Sequence, residues 1–189
     1  MVYLIAGVVF WSIVHLFPSV APAARANLGD KLGENGFKGL FTLDSVIALA
    51  LIVYGWRTAD VATWYVPPLL GSPIVTLLVL LAFFLFAAAN APGNTRRFLR
   101  HPMLTGVIVW GVAHLLANGE NRSVVLFGGF ALWALISIFT ISRRDGLWKK
   151  PAAVSPVKDV MTLVASAVVF AIVLFGHQWA FGVSPIPSY

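Results

Sequence analysis

The chain has 189 residues, 59% of them apolar and 11% charged, with a formal net charge of +6 and a mean hydropathy of +0.88. A soluble domain of this length carries about 25% charged residues, so the composition excludes an ordinary water-soluble fold and points to an all-α polytopic membrane protein. The chain has no cysteine, which excludes disulfides, iron–sulfur clusters and thiolate zinc sites.

Six apolar segments are expected to span the bilayer as one bundle: 2–17, 38–56, 73–90, 102–117, 123–141 and 160–181, in a single domain covering 1–189. The first, opening MVYLIAGVVF, lacks a positive n-region and a clear cleavage site, so it is expected to remain as a helix. It carries WSIVH at 11–15. The second follows a basic loop over 18–37 and holds Asp44 about two turns in. That carboxylate reads as a partner orienting His15, as an ion-pair partner of Arg100, or as an anion favoured near a helix N-terminus. Ser72-Pro73 and His101-Pro102 place a proline at the first helical position of the third and fourth segments, where its missing N–H costs nothing. The fourth is roughly 24 Å long at 1.5 Å per residue and carries WGVAH at 110–114, a near copy of 11–15. Asn118-Gly119 predicts a left-handed stop for it. The sixth ends in FGHQWAFG, where His177 and Trp179 read as aromatic-belt residues.

Lysine and arginine set the orientation. The loops after segments one, three and five hold Arg25, Lys31, Lys38, Arg96, Arg97, Arg100, Arg143, Arg144, Lys149, Lys150 and Lys158, eleven of the thirteen basic residues. Only Arg57 and Arg122 lie on the other side. Both termini are therefore expected outside the cytoplasm. The positive charge is explained by anionic lipid headgroups and calls for no nucleic acid.

His15 and His114 sit inside the spans, where ionisable side chains face the bundle interior and mark functional sites. Each reads either as a ligand or as an interhelical hydrogen bond worth about 0.6 kcal/mol. With thirteen residues outside His15 and twelve inside His114, each lies about 18–20 Å into a core of about 30 Å, offset by about 10 Å in depth. A flat ligand on a tilted axis between the two imidazoles fits that offset. Trp11 and Trp110 would pack along it and Gly111 would let it approach the backbone; plain interior packing is the other reading of the tryptophans. His101 lies about 140° around the fourth helix from His114, so one metal cannot take both; it reads as an interfacial or helix-start residue.

The stretch PGNTRRFLRHPMLTGVIVWGVAHLLANGENRSVVLFGG at 92–129 resembles the hallmark of the NnrU family, and VHLFPSVAPAARANLGDKLGENGFKGLFTLDSVIALALIVYGW near the N-terminus resembles it too. These are bacterial inner-membrane proteins associated with nitrite and nitric oxide metabolism in denitrifiers. The superfamily includes the cis-zeta-carotene isomerases, which hold heme b between two transmembrane histidines and isomerise a carotenoid double bond. The resemblance implies heme b here, with His15 and His114 as axial ligands and Trp11, Trp110 and Gly111 beside it. RHPMLTG at 100–106 is also similar to the Arg-His-Pro-x-Tyr-x-Gly element of isoprenylcysteine-type methyltransferases, which bind S-adenosylmethionine. Leu104 replaces its tyrosine, and the expected downstream Glu is missing from SRRDGLWKKP. Three classes follow: a heme-dependent isomerase or oxidoreductase acting on a hydrophobic small molecule, a non-catalytic accessory or nitric oxide sensor, and, ranked last, a methyltransferase.

Overall fold

A computed structural model describes residues 1–68 and 71–185. It is all-helical: α1 (Val2–Val20), α2 (Pro22–Thr58), α3 (Gly71–Ala88), α4 (Thr95–Phe98), α5 (Pro102–Ala117), α6 (Asn121–Ser123), α7 (Gly129–Asp145) and α8 (Val157–Phe181). A π-helical turn, Val124–Gly128, joins α6 to α7 so that Asn121–Asp145 forms one 25-residue rod. Among the described residues the one β contact is an isolated bridge between Thr63 and Glu120.

Among the described residues four helices are long and apolar enough to cross a membrane: α1, α2, the Asn121–Asp145 rod and α8. Pro73–Ala88 and Pro102–Ala117 are apolar but shorter. The outer faces carry large apolar side chains, among them Ile13, Phe139, Ile172 and Phe175, each more than half exposed. A contiguous apolar exterior of this kind is rare on soluble monomers and is compatible with a membrane protein.

Three sequence expectations change. The basic loop expected over 18–37 is helical. α1 continues through Pro18 to Val20, and α2 begins with Pro22 at its first turn. Its first stretch ends where Gly33 takes φ 72°, a break inside the 37-residue element. Ala, Leu, Arg, Lys and Glu dominate residues 22–34, and these helix formers outweigh the scattered glycines. Arg25 pairs with Glu34 at 2.7 Å and lies over the Phe37 ring at 4.5 Å, which folds this stretch against the rest of α2.

The second change concerns Gly119. It has no positive φ, and Asn118 ends α5 in an extended conformation. Glycine is required there because a Cβ would overlap the Tyr65 carbonyl. Residues 60–65 are stitched to the α5–α6 corner by Trp64 N–H and Asn121 N–H donating to the Gly119 and Ala62 carbonyls, both at 2.8 Å. The Tyr65 hydroxyl donates to the Leu115 and Asn118 carbonyls. A left-handed glycine stop does exist, at Gly182 after α8, and Gly146 ends α7 with a positive φ of 66°. Third, Asp44 has neither expected partner. It is half-buried and makes no hydrogen bond or ion pair among the described residues, while Arg100 donates instead to the Gly146 carbonyl at 2.8 Å.

The helices pack in a sequence that differs from chain order. α1 lies between α2 and α7, α5 lies between α7 and α3, and α3 carries α8 on its far side. The buried centre is Leu4, Val8 and Ile52. Small residues set its tightness: a Cβ on Gly55 would lie 2.6 Å from the Leu4 Cα. Close backbone approach through small residues is how helices associate where lipid removes the hydrophobic driving force.

Candidate functional site

Both Trp-x-x-x-His steps build the same local device. The Nδ1 of His15 meets the Trp11 carbonyl at 2.9 Å, and that of His114 meets the Trp110 carbonyl at 2.8 Å. A carbonyl only accepts, so Nδ1 carries the proton in each ring and Nε2 is the lone-pair nitrogen. A histidine held in this way, its other nitrogen bonded to a backbone carbonyl, is pre-oriented as a ligand.

The surroundings then differ. His114 stacks on Phe127 with ring centres 4.3 Å apart and lies 5.0 Å from Trp110. Phe127 belongs to the π turn, a feature often found beside functional sites. His114 also lines a cavity of about 610 Å³ with Phe83 of α3, Phe170 and His177 of α8, and Pro67 and Asn118 at its rim. That volume falls within the range of about 300–1,000 Å³ usual for cofactor and small-molecule sites. α5 and α8 both pack on α3, and among the described residues they scarcely touch each other; the cavity is the space between them. His114 is three residues from the end of α5 and His177 four from the end of α8. Both imidazoles line this one cavity. His177 Nδ1 meets the Val183 carbonyl at 2.7 Å, which leaves its Nε2 as the lone-pair atom.

His15 is elsewhere. Its ring stacks on Trp11 at 3.8 Å with 15° between planes, and meets Phe41 edge-on at 4.9 Å and Trp133 at 5.7 Å. Phe130 connects the two regions, 5.6 Å from Trp11 and 6.3 Å from Trp110. The expected residues are thus gathered as two pairs joined by an aromatic bridge, and His15 does not line the cavity of His114. Gly111 is taken up by packing, since a Cβ there would lie 2.7 Å from the Phe127 carbonyl oxygen. His177, expected in an aromatic belt, is the cavity residue that sequence reasoning passed over. Its distance from the end of α8, four residues against three for His114 from the end of α5, was the available signal.

At the basic end of the bundle His101 caps α5, and its Nε2 bonds the Ser142 hydroxyl at 2.8 Å. Burial holds this imidazole below its ordinary pKa; Arg100 adds to the effect and Asp145 opposes it. Asn94 ties the α3–α5 connection to α8: its amide donates to Asp159 at 2.7 Å and its carbonyl accepts from Val154 N–H at 3.0 Å. The Arg-His-Pro element is therefore engaged in joining helix ends.

Among the described residues no three His, Cys, Asp or Glu side chains cluster as a metal site; an axial arrangement needs only two. His114 and the cavity beside it fit a flat iron-bearing group by donor chemistry and by volume. Among the described residues four buried side-chain atoms have no hydrogen-bond partner, the nitrogens Trp11 Nε1, Trp133 Nε1 and Arg96 Nε and the Ser137 oxygen. Each such group costs about 1–3 kcal/mol when left unpaired.

No curated protein and no solved structure matches the chain. The NnrU protein family profile matches residues 3–185, nearly the whole length, and the chain belongs to the NnrU family.

Proposed function

We propose that this NnrU protein is a six-span inner-membrane protein of bacteria with both termini outside the cytoplasm, and that it binds heme b in the cavity between α5 and α8 with His114 as an axial ligand. The observation that carries the reading is the His114 ring. Its Nδ1 is committed to the Trp110 carbonyl, which leaves Nε2 as the lone-pair nitrogen, and the residue lines a cavity of about 610 Å³. His177 lines the same space and likewise keeps its Nε2 lone pair. Bound heme would supply an iron centre able to exchange electrons, assist double-bond isomerisation or take up nitric oxide. The chain itself supplies orientation, an apolar wall from Phe83 and Phe170, and shielding from water by the Phe127 face.

A lipid-soluble substrate such as a carotenoid and a sensor or accessory role in nitrogen-oxide metabolism both suit an apolar pocket of this size. A second ligand reading pairs His114 with His15, and the identical carbonyl anchoring of the two rings favours it. Methyl transfer is the least favoured, because Arg100 and His101 are bonded to Gly146 and Ser142. The absorption spectrum of the purified protein tests the proposal: a Soret band with stoichiometric heme supports it, and a colourless protein that takes up no added hemin overturns it.

A further inference from the structure

Three of the four unpartnered buried atoms, Trp11 Nε1, Trp133 Nε1 and Ser137 Oγ, belong to the helix pair α1–α7. The register of that pair is fixed at two points. A Cβ on Gly129 would lie 2.6 Å from Val8, and the Ser19 and Thr140 hydroxyls bond at 2.9 Å, the same offset of 121 residues at both. The helices therefore run side by side in one direction. His15 falls level with residue 136, between Trp133 and Ser137, which are one turn apart on α7. Ring distances agree: His15 lies 5.7 Å from Trp133 and 3.8 Å from Trp11, and the two indoles are 6.0 Å apart.

The chemistry of these four groups is complementary. Indole N–H only donates, the His15 Nε2 lone pair only accepts, and the Ser137 hydroxyl, on a side chain 2% exposed, can do either. One water molecule accepts two hydrogen bonds and donates two. We propose that this box holds a buried water that accepts from Trp11 and Trp133 and donates to His15 and Ser137, and that it is the inner end of a hydrogen-bonded file leading to the basic end of the bundle.

The file follows one stripe of α7. Trp133, Ser137, Thr140 and Arg144 recur at steps of four, three and four. The Thr140 hydroxyl donates to the Ser137 carbonyl at 3.3 Å and pairs with Ser19, and the Arg144 guanidinium donates to the Pro18 carbonyl at 3.4 Å. The Thr140 and Arg144 bonds end on backbone carbonyls, which pass on no proton, so the file is a path for water along the stripe and requires no change of charge at His15. The inference rests on the α5–α8 reading of the proposed heme site, in which His15 lies outside the cavity of His114 and keeps its Nε2 lone pair.

The test uses the full chain in lipid nanodiscs with ¹⁵N-labelled tryptophan, the two signals assigned with Trp11→Phe and Trp133→Phe. Cross-peaks from both indole protons to water, with exchange into D2O, are the expected result. Ser19→Ala combined with Thr140→Val should slow the exchange at Trp133 about tenfold, equivalent to ~1.4 kcal/mol, and leave the exposed Trp179 unchanged. Indole protons that contact only lipid chains or a co-purified organic molecule would overturn the water site. Unchanged exchange in a folded double variant would overturn the file; if that variant does not fold, indole protons of the native protein that fail to exchange would overturn it.

Discussion

Replacing His114 with Ala separates a ligand role from a packing role, because the structural cost can be bounded. The ring gives the fold one hydrogen bond, to the Trp110 carbonyl, and one stack, on Phe127. Such a bond is worth about 0.6 kcal/mol within a membrane and the stack about 0.5–1.5 kcal/mol, so the loss is about 1–2 kcal/mol. That is a minor part of the roughly 5–15 kcal/mol that holds a domain together. His114→Ala should therefore insert and fold, and any loss of heme reports a lost iron bond.

The comparison runs across four variants purified side by side. His114→Ala and His177→Ala should each lose heme or pass to a five-coordinate, high-spin spectrum. His101→Ala should keep its Soret band, since it sits thirteen residues from His114 on α5, about 20 Å along the axis. His15→Ala decides between the two ligand readings: an intact spectrum supports the α5–α8 pair, and heme loss supports the α1–α5 pair. A His114→Ala protein with full heme and an unchanged six-coordinate spectrum would refute the reasoning altogether.

A reporter fused after Tyr189 should read outside the cytoplasm; a cytoplasmic signal would remove the six-span model. Calorimetry with S-adenosylmethionine should give no heat of binding, and a clear micromolar isotherm would restore the methyltransferase class. Gly55→Val places atoms where the Leu4 backbone runs and should cost about 1–3 kcal/mol or more, as overpacking does, read as a lower unfolding midpoint in detergent. His101 supplies a pH signature. Its folded pKa is depressed, so the unfolded chain takes up the proton first. Stability should be flat above about pH 6.5 and fall as pH drops from there through the folded pKa; His101→Gln should flatten that fall, and identical profiles would rule the residue out as its source.

Much of the helix plan was legible in the residues. α5 begins at Pro102 and ends at Ala117 as expected, because a proline and an Asn-Gly corner bracket an unbroken apolar run. Residues 22–37 were not legible: three glycines and alternating charge resemble a loop, yet only Gly33 leaves helical geometry. The need for glycine at 119 could be seen, but its cause is the approach of residue 65, which no local pattern encodes. The site divided in the same way. His114 was visible as a histidine inside an apolar helix. The cavity beside it depends on α3 separating α5 from α8, and α3 joins them through contacts distant in sequence.

The repeated Trp-x-x-x-His step shows where local and tertiary causes part. Spacing by four residues brings Nδ1 to a carbonyl on the same helix, and both copies obey it within 0.1 Å of each other. The motif therefore fixes the tautomer wherever it occurs on a helix. It does not fix what the free Nε2 meets, because that is set by the α7 rod packed alongside. At His114 the rod presents Phe127, a hydrocarbon face with no polar atom, and the ring's other side borders a cavity. At His15 it presents Trp133 and, one turn on, Ser137, two polar groups without partners. Two copies of one motif thereby meet different surroundings, an apolar cavity in one case and unpartnered polar groups in the other, which is why the proposals assign a cofactor to the first and a water to the second. Exchanging the partners tests that division. Ser137→Ala with Trp133→Phe should make the His15 site dry and leave heme at His114 unchanged, whereas a loss of heme on that change would mean that the two histidines act as one site.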